Sequence, residues 1–141
     1  FPTRRSSDLG YSLGGLAALY YYFELGFAGC ISCSGSLWYP GFQDYCREQI
    51  EKKLQEKEMR IKDSVYFSLG GKEKNTTDPS MCHIEEDTRW IYEAFQKVAQ
   101  TTFVHEPGGH MCKVERRLAH GLIWLLSDKK QLPGKRSLRL H

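Results

Sequence analysis

Helix-forming and strand-forming segments alternate singly along most of this 141-residue chain, and that alternation narrows the fold more than any other feature. Residues 12–25 are apolar nearly all round through Leu13, Leu16, Ala17, Leu19, Tyr20 and Phe23, as in a largely buried helix, and Gly26 is a suitable stop. Residues 27–34, a short apolar and small-residue run between glycines, suit a buried strand, and 35–42 form a loop around Gly35, Pro40 and Gly41. Residues 43–60 read as a solvated helix: nine of the fourteen positions from 47 to 60 are charged, with opposite charges four apart at Arg47/Glu51 and Glu48/Lys52 and a narrow stripe of Cys46, Ile50 and Leu54. Residues 64–69 form the next strand by their β-branched and aromatic content, and 70–81 a polar loop. Asp87 caps a helix running to about residue 100, with Ile91, Ala94, Phe95 and Val98 on one face. Residues 101–106 are the following strand, ended by Pro107-Gly108-Gly109, and Val114, Leu118, Leu122 and Leu125 line a last helix up to Asp128. Parallel strands cannot be joined by tight turns, so this order implies an α/β fold, a parallel sheet with flanking crossover helices.

Composition excludes several classes. With 40% hydrophobic and 26% charged residues, the chain has the balance of an ordinary globular domain. No apolar run approaches the roughly 18–20 residues of a membrane span, so no membrane partner is expected. Residues 129–141 carry Lys129, Lys130, Lys135, Arg136 and Arg139 and no acid, whereas the whole chain is only +3, so the body is mildly acidic and the basic stretch is a tail. That tail lacks interleaved aromatics and reads as a solvated end; the alternative, a binding module that uses it on nucleic acid, is not favoured. Five cysteines, Cys30, Cys33, Cys46, Cys82 and Cys112, show no paired framework, which fits a reducing, cytoplasmic setting. Cys30 and Cys33 lie three apart in a strand, hence on opposite faces, and no zinc spacing is present, so no metal is expected.

Residues 1–9 have no strand or helix period and are similar to translated sequencing-adapter DNA; they are set aside as a non-native leader. The organisation expected is therefore a leader at 1–9, a partial domain at 10–128 and a basic tail at 129–141, the chain being a fragment of a longer protein.

The chemistry-bearing motif is Gly10-Tyr11-Ser12-Leu13-Gly14, a G-x-S-x-G that opens directly onto the apolar helix. Such a serine sits on a strained strand-to-helix turn, where glycines two before and two after it let the backbones approach and the helix N-terminus favours an oxyanion, with the Leu13 N–H as one donor. A serine hydroxyl needs a base, and in this arrangement an acid and then a histidine follow in chain order, each after a strand. Glu73 follows the strand ending at Leu69, in Gly70-Gly71-Lys72-Glu73, and His110 follows Pro107-Gly108-Gly109, so both fall at the sheet edge that carries Ser12. Asp78, in the same loop as Glu73, is the alternative acid. His83, His105, His120 and His141 read as structural.

Four motifs in register, GYSLGGLAALY at 10–20, SGSLWY at 34–39, VYFSLGGKE at 65–73 and PGGH at 107–110, resemble an esterase family of α/β-hydrolases that includes siderophore (enterochelin-type) esterases, formylglutathione hydrolases, feruloyl esterases and mycolyltransferases. The likeness is greatest to the siderophore-esterase branch and covers about residues 10–126. It implies the C-terminal part of an α/β-hydrolase fold, a catalytic Ser12 and His110 with Glu73 as acid, no cofactor, and hydrolysis of a small-molecule carboxylic ester through an acyl-serine. Some siderophore esterases work with a Ser–His dyad, which leaves the acid open. The resemblance also places Trp38 near the active-site mouth, and it implies a second oxyanion donor on a loop among strands that precede the elbow. A non-catalytic fragment and an acyltransferase of the same fold are the alternatives.

Overall fold

The computed structural model describes residues 6–56 and 62–127. Strands β1 (Ser7–Tyr11), β2 (Gly29–Cys33), β3 (Ser64–Gly70) and β4 (Gln100–Glu106) form one sheet, parallel throughout, in the order β1-β2-β3-β4. Helices α1 (Leu13–Leu25), α2 (Phe42–Leu54), α3 (Ile84–Phe95) and α4 (Val114–Leu126) connect and cover it, and a short 3-10 turn spans Glu73–Asn75. This is the α/β class that the alternation implies.

Two apolar layers sandwich the sheet. On one face Ala18, Leu19 and Tyr22 of α1, Cys46 and Ile50 of α2, and Ile91 and Phe95 of α3 close over Cys30, Val65 and Phe67. On the other, Leu118, Trp124 and Leu125 of α4 pack on Ile31, Cys33 and Tyr66. The period of two along β2 and β3 thus sends alternate side chains to opposite layers, Cys30 to one and Cys33 to the other.

Four expectations shift. Ser7, Asp8 and Leu9, set aside with the leader, form the start of β1 and pair with Gly29, Cys30 and Ile31. A ladder is made by the backbone, so an edge strand accepts a polar Ser-Asp pair that carries no apolar alternation. Residues 1–5 and the basic tail at 129–141 lie outside the described residues. The charged helix, expected to run to residue 60, ends at Leu54, with Phe42, Cys46 and Ile50 as its buried residues and residues 55 and 56 exposed beyond it; residues 57–61 lie outside the described residues. Helix α3 starts at Ile84 with His83 at its N-cap, so Asp87 lies inside the first turn with Glu85 and Glu86, where carboxylates complement the helix dipole. Asp87 Oδ1 accepts a hydrogen bond from Gln43 Nε2 at 2.8 Å, a tie between α2 and α3.

The inward stripe of α4 also differs. Leu122, expected on the apolar face, is exposed, while Arg117 and Gly121 are buried. A Cβ on Gly121 would lie 2.5 Å from Ile31 Cγ2 and 3.1 Å from the Tyr66 ring, so the bare glycine lets α4 settle onto β2 and β3. That approach carries Arg117, one turn earlier, into the interior.

Cys30, Cys33 and Cys46 are fully buried, and burial raises all three thiols above the ordinary cysteine range, Cys30 most strongly helped by nearby acids. Cys82 is exposed and Cys112 half-buried. Iodoacetamide at pH 8 is therefore expected to alkylate Cys82 first and Cys112 more slowly, and to reach the other three only with denaturant; peptide mass spectrometry reads the order, and early modification of Cys30 would contradict this packing.

Candidate active site

Ser12, Glu73 and His110 each sit just beyond the C-terminal end of a strand. Ser12 forms the turn between β1 and α1 with φ 56° and ψ −121°, a left-handed conformation that costs a non-glycine residue about 1–3 kcal/mol. Its backbone is tied on both sides: Ser12 N donates to Cys33 O at 3.0 Å, and Ser12 O accepts from Gly15 N and Ser36 N, each at 3.0 Å. A Cβ on Gly10 would fall 1.9 Å from Gly14 O, and one on Gly15 would fall 2.9 Å from Gly35 Cα, whereas one on Gly14 would meet nothing within 4 Å. The close approach therefore belongs to Gly10 and Gly15, and not to the symmetric pair of the motif, because the strand end presses on the Gly14 carbonyl while Gly14 itself faces open space.

The loops after β3 and β4 lock together. Gly71 N donates to Glu106 O at 2.8 Å and Lys72 N to Gly108 O at 3.0 Å. A Cβ on Gly70 would sit 2.6 Å from Gly108 O and 2.9 Å from Glu73 Oε1, so the bare backbone there admits both the His110 loop and the carboxylate. Gly108 takes φ 94°, which a side chain would strain.

These turns bring three sequence candidates into line. His110 Nε2 lies 3.0 Å from Ser12 Oγ, and His110 Nδ1 lies 2.9 Å from Glu73 Oε2. Glu73 has a side chain only 1% exposed, and its Oε1 accepts from Gly70 N at 2.7 Å and from the Ser34 hydroxyl. Asp78, the alternative acid, is exposed; its Oδ1 accepts from Ser80 Oγ at 2.6 Å and Ser80 N at 2.9 Å, bonds that hold its carboxyl below the usual range. Leu13 is the first residue of α1, so its N–H has no acceptor within the helix. Trp38 is half-buried on the loop after β2, whose Ser36 N is bonded to the Ser12 carbonyl, and its buried indole Nε1 has no hydrogen-bond partner among the described residues.

Three residues were not singled out by the sequence. Arg117, with a side chain 1% exposed, places Nη2 3.4 Å from Glu73 Oε1 and also on Ser34 Oγ. Its Nη1 donates to the Tyr11 hydroxyl at 2.5 Å and lies 3.4 Å from His110 O. The Tyr11 hydroxyl donates in turn to His110 O, and burial raises this phenol above its ordinary pKa, so it stays protonated as a donor. Ser34, at the end of β2, has φ 44°. The signal for Arg117 is a cation four residues before a mid-helix glycine. Tyr11 and Ser34 leave no mark in the periodicity.

His83, His105 and His120 each face a carboxylate away from this line, respectively Glu86 at 3.0 Å, Glu85 at 3.3 Å and Glu106 at 2.7 Å. Among the described residues no group of three or more His, Cys, Asp or Glu is placed to hold a metal ion, and no helix is long and apolar enough to cross a membrane.

No protein-family model and no curated protein sequence matches the chain. Solved structures do. The enterobactin esterase FES from Shigella flexneri, solved in the presence of 2,3-dihydroxy-N-benzoylglycine, matches at 24% identity over 87% of this chain and 32% of its own, with a TM-score of 0.59. The siderophore hydrolase EstB from Aspergillus nidulans matches at 22% identity over 84% of this chain and 48% of its own, with a TM-score of 0.57. An IroE-like serine hydrolase from Shewanella oneidensis matches at 15% identity over 85% and 40%, with a TM-score of 0.63. The chain spans less than half the length of each of these. At such identities the likeness shows the fold, which is that of the α/β-hydrolases.

Proposed function

We propose that Ser12, His110 and Glu73 form the site of a serine hydrolase that cleaves small-molecule carboxylic esters, of the siderophore-esterase type, through an acyl-serine intermediate. The observation that carries this reading is the unbroken line from Ser12 Oγ to His110 Nε2 at 3.0 Å and from His110 Nδ1 to Glu73 Oε2 at 2.9 Å. His110 Nε2 takes the hydroxyl proton as Ser12 Oγ bonds to the ester carbonyl carbon. The oxyanion develops at the N-terminus of α1, where the Leu13 N–H and the helix dipole stabilise it. Collapse breaks the ester C–O bond, and the alcohol departs with the proton from His110. Water, deprotonated by the same nitrogen, then releases the acid and restores Ser12. Glu73 keeps the imidazole in the Nδ1–H tautomer and stabilises the imidazolium. No cofactor enters this cycle, and Trp38 contributes a wall for the substrate. The siderophore assignment is supported by the resemblance and by the named activities of the structural neighbours.

A fluorophosphonate supplies the test, since only an activated serine displaces its fluoride. The full chain is expected to gain one phosphonyl adduct, mapped by peptide mass spectrometry to Ser12; a chain that stays unmodified would overturn the reading.

A further inference from the structure

We propose that Arg117 is a positioning residue for this site: a single guanidinium that fixes Glu73 and the His110 loop relative to each other and to the strand that bears Ser12. The proposal rests on the reading of Ser12, His110 and Glu73 as the hydrolytic groups and adds a fourth residue that touches none of the reacting atoms.

The four Nη hydrogens of Arg117 find four acceptors on four separate segments. Nη2 reaches Ser34 Oγ, past the end of β2, and Glu73 Oε1, past the end of β3, the latter at 3.4 Å. Nη1 reaches the hydroxyl of Tyr11, the last residue of β1, at 2.5 Å and the His110 carbonyl, past the end of β4, at 3.4 Å. The guanidinium also lies over the Tyr11 ring, 5.1 Å from its centroid, and the same ring stands 5.5 Å from that of His110. One planar group thus gathers all four strand ends. The fork geometry matters, because an ammonium on a flexible stem cannot reach in four directions at once.

Stability alone does not account for this residue. A guanidinium 1% exposed is desolvated, and among the described residues its Nε has no acceptor. Replacing buried ion pairs with apolar side chains of similar volume is often neutral or stabilising, so such a pair is weak ground for a purely structural role. What an apolar residue cannot do is hold Glu73 Oε1 while Oε2 faces His110 Nδ1. Glu73 is a short-loop carboxylate, and rotation about its terminal torsion would swing Oε2 off the imidazole; Arg117, Ser34 and Gly70 N together pin Oε1 against that rotation.

Arg117→Lys in the full chain separates positioning from bulk stability, because it keeps the charge and loses the fork. With circular dichroism showing both proteins folded, the variant is expected to be phosphonylated at Ser12 about 10–100-fold more slowly than the parent, the scale of penalty for a reacting group misplaced by about 1 Å. Labelling at the parental rate overturns the proposal. A second readout needs no reactivity: the downfield proton resonance of His110 Nδ1–H, sheltered by Glu73 in the parent, is expected to be lost to exchange in Arg117→Lys, and its persistence there overturns the proposal. A parent that is not labelled at all defeats the hydrolase reading, and the resonance then decides the positioning role by itself. Should Arg117→Lys fail to fold, Tyr11→Phe takes its place, removing the hydroxyl between Nη1 and the His110 carbonyl; a several-fold slower labelling is expected, and an unchanged rate refutes the clasp.

Discussion

Exchange of His110 for alanine is expected to slow acylation of Ser12 on the order of 10⁶-fold while leaving the circular dichroism spectrum unchanged. Among the described residues the hydroxyl of Ser12 meets a base in His110 Nε2, 3.0 Å away, and His83, His105 and His120 each face a carboxylate elsewhere. The ring contributes little to the fold, being 27% exposed on a loop that the Gly71–Glu106 and Lys72–Gly108 backbone bonds hold without it. Groups that act as a unit are not additive, so Ser12→Ala combined with His110→Ala should hydrolyse an activated ester no more slowly than either change alone. A fluorophosphonate time course for His110→Ala, and p-nitrophenyl ester turnover for the pair, measure this. Retention of more than a hundredth of the parental labelling rate in His110→Ala would mean that the serine is activated by something else.

Glu73→Gln is expected to act twice. An amide cannot serve both neighbours of the carboxylate: if its oxygen faces His110 Nδ1, its NH2 faces the Gly70 N–H and the Arg117 fork, and if it turns over, the imidazole is held in the wrong tautomer. By analogy with the loss of the acid in a serine protease, reactivity should fall about 10⁴-fold. Arg117, 1% exposed, would also lose its ionised partner, and breaking a buried pair from one side costs about 3–5 kcal/mol. Urea unfolding should register that loss as a lower midpoint. Asp78→Ala is the control: its carboxylate only closes a turn with Ser80 on the surface, so both measurements should stay at the parental level. If Asp78→Ala proves the slower variant, the acid has been misassigned.

The sheet was legible because its information is periodic. Alternation of segments dictates parallel pairing, and β-branched and aromatic content marks residues 64–69 whatever surrounds them. The meeting of Ser12, Glu73 and His110 on one edge was legible for a topological reason: in a parallel sheet every strand ends on the same side, so residues that each follow a strand converge. What periodicity cannot encode is what one backbone does for another. Ser7 and Asp8 are strand only because β2 offers a ladder. Helix α2 ends at Leu54 because burial, and not charge pairing, sustains it. Arg117 looks like a surface cation in the letters, beside Arg116 and Glu115, and only the approach permitted by Gly121 turns it inward. Tyr11 and Ser34 acquire meaning only from that arginine.

The order in which the site is assembled follows from where its parts lie in the chain. Ser12 precedes Glu73, His110 and Arg117 in the chain, and Arg117 comes from α4. On a ribosome Ser12 is therefore made before Glu73, His110 and the guanidinium that braces them. Under the proposed reading, the serine of a nascent chain is no more reactive than any other until α4 docks.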